Sequence, residues 1–362
     1  MITSLCGMRL PIALLACALC YAQLGYAQDP TTPEMPRRSD IVVPVNVVIA
    51  PTTVVDKSGN YINGLTIQEF TLFDNNKPQK ITADVAFEPM SLVVAVQASS
   101  MLGEILPKIQ KIGVLLDNLV VGQDGEAAVV AFDHRIRVMQ DFSGDAGKID
   151  AAVKKITPGS SSSRLIDAVT ESVRMLKSRP EQRRRVLLLI SEKRDKASEG
   201  RVRDALMAAQ LANVSVYSID ISHLLAEFTS KSEPARQNPI PPTAVAMPPG
   251  AAVTPTTTNI QQNSGNVIPL MVEIFKGAKS IFIDDALDVF TRYTGGKQYP
   301  FVSQKSLEKA VSAVGEELHS QYLLSYTPNN LAEGGFHEIR VTVNRPNLEI
   351  RTRPGYWVAA QP

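Results

Sequence analysis

The sequence predicts an α/β protein: a Rossmann-like, doubly wound, mainly parallel sheet flanked by a β-sandwich-like module built from the N- and C-terminal strands. Three features point there. Leu92–Gln97, Val186–Ser191 and Val214–Ile219 are short, continuously apolar runs, as expected of strands buried on both faces. Between them, apolar residues recur at helical spacing, at Leu165, Ala168, Val169, Val173 and Leu176, then at Val202, Ala205, Leu206 and Ala209. Strands separated by helices of that length favour parallel pairing with helices on both faces. Finally, both ends of the chain are strand-rich, and neither has material for a complete core alone.

The elements follow in order. Residues 1–27 have the layout of an export signal: Arg9, an apolar run Leu10–Ala22, and small residues Gly25 and Ala27 before Gln28. That run is shorter than the roughly 20 residues a membrane-spanning helix needs. Cys6, Cys17 and Cys20 all lie in it or just before it, so the mature chain is expected to carry no disulfide. A lipid-bearing Cys17 after Leu14-Leu15-Ala16 is the rival reading of the leader. Residues 28–40 form a polar lead-in. Residues 41–90 read as an N-terminal β module: a β-branched run from Val42 to Ile49, Val54-Val55, a turn at Asp56–Asn60, then Phe70–Phe73 and Gln79–Phe87 about a hairpin at Asp74–Lys77. Residues 91–320 form the α/β domain. Its first strand precedes a helical stripe of Ile105, Ile109, Ile112, Leu115, Leu116 and Leu119, and Ala127–Phe132 pairs with Ile136–Gln140 across Asp133-His134-Arg135.

Residues 225–270 interrupt this domain. No charged residue occurs from Gln237 to Val272, and Pro234–Pro269 holds eight of the 24 prolines, a composition that buries too little apolar surface to offset its ordering entropy. A flexible surface insertion is expected. A helix over Ile281–Tyr293 then ends at Gly295-Gly296, Tyr299–Val302 is a last core strand, and Leu307–Leu318 a last helix. Residues 321–358 supply strands Tyr322–Tyr326, His337–Val343 and Leu348–Thr352, which are expected to pack with the N-terminal β module.

Charge excludes some partners. The chain has 37 basic and 36 acidic residues; loss of Arg9 with the leader leaves them equal. No field of one sign would draw it to nucleic acid or an anionic membrane. After the leader no apolar segment is long enough to span a bilayer. An exported protein without an integral membrane segment, periplasmic or extracellular, is expected.

Leu92–Met101, Arg164–Ala168, Val186–Ser198 and Thr294–Gln298 together resemble a von Willebrand factor A (VWA) domain, in particular the exported VWFA-related Acidobacterial-type family. Thr53–Gly59 through Gly64–Phe70, Lys77–Ile81, Tyr322–Pro328 and Arg351–Tyr356 are similar to that family's flanking segments. The resemblance implies a metal-ion-dependent adhesion site at the carboxyl ends of the core strands, with Asp-x-Ser-x-Ser on one loop, Thr on a second and Asp on a third. A hard cation such as magnesium wants about six oxygens, several of them from carboxylates and hydroxyls.

At the matching positions this chain has Gln97, Ser99 and Met101 on the first loop, Ser163 on the second and Glu192 on the third. An amide oxygen offsets less of an ion's dehydration than a carboxylate, and a thioether is a poor partner for magnesium. These five are the expected ligand-binding positions of a degenerate site without tight metal binding; magnesium or calcium would be held weakly at most, and no cofactor is expected. Asp133 and Asp195 could restore charge if they reached the same rim, but they read more simply as a turn residue and a solvated or helix-starting carboxylate.

Other constellations read blandly. His134, His223, His319 and His337 are scattered, no Gly-x-Ser-x-Gly elbow or phosphate loop occurs, and Ser160–Ser163 reads as a loop with a helix N-cap. The basic run Arg179–Arg185 reads as a solvated loop. The function expected is non-enzymatic recognition of an unknown protein partner or cell surface, with a metal-dependent adhesin and an envelope hydrolase as the alternatives.

Overall fold

The computed structural model describes residues 47–84, 89–113, 115, 124–230, 274 and 284–358. All fall within the compact unit Val45–Pro362. The expected leader, the lead-in and residues 231–270 of the expected insertion lie outside the described residues.

The chain opens with β1 (Val48–Asp56), β2 (Phe70–Asp74), β3 (Lys77–Gln79) and β4 (Ile81–Asp84). The α/β part contains β5 (Met90–Gln97), α1 (Leu106–Ile109), β6 (Glu126–Phe132), β7 (Ile136–Ser143), α2 (Ala146–Lys154), α3 (Leu165–Lys177) and β8 (Arg184–Ser191). It continues through α4 (Val202–Leu211), β9 (Val214–Asp220), α5 (Ser222–Ser230), α6 (Ala286–Thr294), β10 (Gln298–Pro300) and α7 (Gln304–Ser320). The C-terminal strands are β11 (Tyr322–Tyr326), β12 (Gly335–Val343), β13 (Leu348–Thr352) and β14 (Gly355–Val358).

The central sheet runs β10-β9-β8-β5-β6-β7. Five strands are parallel, and β7 closes one edge antiparallel to β6. This is the doubly wound sheet expected. Leu92, Val94 and Val96 of β5 face a core shared with Ile149, Val153 and the α7 side chains Leu307, Val311 and Val314. Val93 and Ala95 face the opposite core with Val169, Val173, Leu206 and Phe290, from α3, α4 and α6. The strand order reverses beside β5, so the crevice for a ligand opens at the carboxyl ends of β5 and β8.

The two ends of the chain do build one β module. Its sheets run β13-β1-β11-β4 and β14-β12-β2-β3, all antiparallel where paired. They share a core of Val48, Val54, Phe70, Leu72, Leu324, Tyr326, Ile339 and Val341. Glu317 at the end of α7 binds this module to the α/β part: it pairs with Arg351 of β13 and accepts from Tyr217 OH at 3.0 Å and Tyr299 OH at 3.3 Å. The chain can turn from α6 into β10 because Gly295 adopts φ 85° and a Cβ on Gly296 would lie 1.9 Å from Val216 O.

Several expectations need correction. The helix expected from Ile105 is broken: α1 spans only four residues with Pro107 in its first turn, and Leu116 and Leu119 lie outside the described residues. The expected strand Gln79–Phe87 is two short strands, β3 and β4, with residues 85–88 outside the description. Residues 225–230, expected to open the insertion, continue α5, with Leu224 and Leu225 buried against the sheet. The arginine run is not solvated. Arg183 donates to Met90 O and Asp124 O, Arg185 to Ala212 O and Arg179 O, and buried Arg184 to Leu318 O and Gln321 Oε1, while Arg179 pairs with Glu126. Guanidinium groups thus satisfy carbonyls at or just beyond the C-terminal ends of α3, α4 and α7 and at or just before the starts of β5 and β6, where backbone acceptors need partners once buried.

Candidate functional site

Four of the five expected positions converge. Gln97 ends β5, Ser99 lies two residues on, Ser163 precedes α3, and Glu192 follows β8; all four are buried. Gln97 Nε2 donates to Ser99 Oγ at 3.1 Å and to Glu192 Oε1 at 2.8 Å. Gln97 Oε1 accepts from Ser191 Oγ at 2.8 Å and from the Glu192 N–H at 2.9 Å. The primary amide can form four such bonds, and all four are made. Ser163 Oγ adds a donor to Glu192 Oε1 at 3.3 Å. Glu192 Oε2 lies 2.9 Å from Lys196 Nζ, four residues further along the same loop.

Met101 does not join them. It is 41% exposed on the lip of the rim, where its thioether reaches none of these oxygens. With Glu192, Lys193, Arg194, Leu225 and Asp284 it lines an open groove of about 460 Å³. The groove mixes an apolar side with charges already paired. Lys193 Nζ lies 3.1 Å from Asp285 Oδ2 and 3.5 Å from Asp220 Oδ2. Burial pushes its pKa down, but those two carboxylates outweigh it and hold the ammonium above the ordinary lysine value. Arg194 Nη2 pairs with Asp284 at 3.3 Å in a solvated contact.

Asp133 and Asp195 are brought to the rim but are spent on backbone. Asp133 Oδ1 accepts from Arg135 N at 2.7 Å, closing the expected turn, and Oδ2 accepts from Ser160 N at 3.3 Å. Burial raises its pKa, and these N–H bonds together with Arg137 more than reverse that, so it stays below the usual carboxylate range. Gly159 is required beside it, since a Cβ there would lie 1.5 Å from Asp133 Oδ2. Asp195 Oδ1 accepts from Ile166 N at 3.2 Å and Ser198 Oγ at 2.6 Å. Ser198 Oγ in turn accepts from Asp167 N at 3.1 Å. The expected N-cap within Ser160–Ser163 is therefore wrong: Arg164 occupies the cap position without a side-chain bond, and the third loop satisfies the first N–H groups of α3.

Sequence reasoning missed Lys196. Residues 192–196 form an irregular loop, so no periodic signal could have placed the lysine beside Glu192. Among the described residues no cluster of three or more His, Cys, Asp or Glu is placed to hold a metal ion. The residues this chain has at the positions the VWA resemblance implies do not fit a tightly held divalent ion: Glu192 is the one anion among them, both its oxygens are engaged, and the space beside it is taken by an amide.

The chain is similar to an aerotolerance-related membrane protein from Bacteroides fragilis, at 12% identity over 63% of this chain and 99% of that chain, with a TM-score of 0.37. It is similar to BatB from Bacteroides thetaiotaomicron at 14% identity, again over 63% and 99%, with a TM-score of 0.36. It is also similar to the vWF domain of the type V pili tip protein Mfa5 from Porphyromonas gingivalis, at 15% identity over 32% of this chain and 40% of that chain, with a TM-score of 0.26. Likenesses this distant carry no argument, and the doubly wound α/β architecture rests on the strand order and register alone. No protein-family model matches the chain, and no curated protein matches it closely. Among the described residues no helix is long and apolar enough to cross a membrane.

Proposed function

We propose that this is an exported, non-enzymatic protein that recognises another protein or a cell surface through the rim at Gln97, Ser99, Ser163 and Glu192, without tight metal binding. The observation that carries the reading is the closed hydrogen-bonded cluster beside an open groove. Ser99, Ser163 and Ser191 bond to Gln97 or Glu192 and not to an imidazole, so no activated nucleophile supports the hydrolase alternative. The metal-dependent alternative lacks a free carboxylate. What the rim does offer is shape: loops held rigid from beneath, an exposed methionine on the lip, and charged pairs of both signs around the groove. Such a surface suits a partner segment that seats an apolar side chain between charges. Export rests on the leader at residues 1–27.

A photo-crosslinking amino acid placed at Met101 tests the reading in the native envelope. A discrete adduct from Met101, absent from a probe at exposed Val138 on the sheet edge and lost in Lys193→Glu/Arg194→Glu, is expected. Equal adducts from both positions would contradict it.

A further inference from the structure

A divalent ion at such a rim would do two things: fill the space between hydroxyl and carboxylate oxygens, and supply the charge that a buried carboxylate needs. Here two side chains divide those tasks. The Gln97 amide sends one hydrogen to Ser99 Oγ and the other to Glu192 Oε1, while Ser163 Oγ donates to the same carboxylate oxygen. Lys196 Nζ, 2.9 Å from Glu192 Oε2, supplies positive charge from the solvent side, its side chain 38% exposed over a buried glutamate. Gln97, Glu192 and Lys196 together carry no net charge.

We propose that Gln97 and Lys196 form a built-in substitute for a divalent cation, with the amide occupying the ion's space and the ammonium carrying its charge. The substitution explains three features at once. Gln97 makes all four bonds open to its amide, which is what a group filling an ion's place must do if no oxygen is to be left bare. Glu192 tolerates burial because an ammonium stands against its outer oxygen. Met101 can turn outward, because no ion asks for a further hydroxyl at that position. The two parts also depend on each other. An aspartate at 97 would set a second carboxylate against Glu192, more charge than one lysine offsets, and removing the lysine as well would leave two negative charges around a vacated space.

Calorimetric titration of manganese and magnesium into the mature protein and its variants tests this. The unmodified protein and Lys196→Met should give no binding heat in the micromolar range, because the amide still fills the ion's space. Gln97→Asp/Lys196→Met should bind manganese at least tenfold more tightly than Gln97→Asp alone. Micromolar binding by the unmodified protein, or a double variant no tighter than Gln97→Asp, would overturn the proposal. If the double variant does not fold, amine acylation read by mass spectrometry decides instead. Lys196 should react more slowly than exposed Lys57, and Glu192→Gln should remove that protection; equal reactivity in the unmodified protein would overturn it. The crosslinking above reads the partner and these titrations the ion, so the two readings can fail separately.

Discussion

Replacing Asp74 by asparagine should lower the stability of the folded protein by about 2–4 kcal/mol. The carboxylate is fully buried in the β module and accepts from Asn330 Nδ2 at 3.0 Å, Tyr326 OH at 2.9 Å and Tyr356 OH at 2.7 Å. His337 Nδ1, 2.7 Å away and equally buried, must carry its proton, since a carboxylate only accepts. Asparagine keeps the shape but has one acceptor atom in place of two. With its oxygen toward His337 and Asn330, its NH₂ group faces the tyrosine hydroxyls, which must then accept and leave their own protons unbonded. Each buried unpaired donor costs about 1–3 kcal/mol, and rotation of the hydroxyls relieves part of that. The sign of the pH dependence follows from the same contacts. Burial pushes the Asp74 carboxyl up, yet hydrogen bonds from His337, Asn330 and Tyr356 outweigh it and hold it below its ordinary value. The folded pKa thus lies below the unfolded one, so the contribution is complete above about pH 4 and disappears as the pH falls through the folded value. Urea unfolding followed by the single tryptophan, Trp357, measures both effects. The D74N protein should be weaker at neutral pH and decline less steeply with acid. A loss below about 0.5 kcal/mol, within the range of ordinary surface changes, would refute the reasoning.

Gly159→Ala forces a Cβ against Asp133 and should loosen the rim, destabilising the protein by about 2 kcal/mol or more and raising amide exchange at residues 97–101. Unchanged exchange there would count against the role given to Asp133. Glu317→Gln removes the charge facing Arg351, whose side chain is 38% exposed and so screened by solvent, and takes one acceptor from the buried tyrosine hydroxyls; it should cost about 1–3 kcal/mol in urea unfolding, with the β module cut first in limited proteolysis. Asp195→Ala removes the acceptor at the start of α3; a loss of about 1 kcal/mol is expected by the same unfolding assay, as for a helix cap.

Much of the fold could be read from sequence because burial writes a local pattern. Val93 and Val94 both face cores, one on each side of the sheet, and a strand covered twice has to be apolar throughout. The shortage of core at each end of the chain likewise implies that the two ends form one module, although not which strands meet; in the structure β1 pairs with β11 and β13. Elements with weak patterns were missed. In α2 the buried stripe is only Ile149, Ala152 and Val153, and β14 is four residues long with its outer half only partly buried. The rim was half legible: the family resemblance located Gln97, Ser99, Ser163 and Glu192, but not their partners. Asp133 and Asp195 bind backbone groups 27 and 29 residues away, and the carbonyls met by Arg183 and Arg185 are likewise distant. Contacts of that kind leave no periodic trace, so a solvated loop and a serine cap were the natural but mistaken readings.

The most direct measurement of the central claim is a crystal structure of the mature protein soaked in manganese, with anomalous scattering used to locate the ion. The structure described here requires no anomalous peak beside Glu192, with Gln97 Nε2 still bonded to Glu192 Oε1 and Lys196 Nζ to Oε2. Manganese seated among Ser99, Ser163 and Glu192, with the Lys196 side chain displaced into solvent, would contradict it.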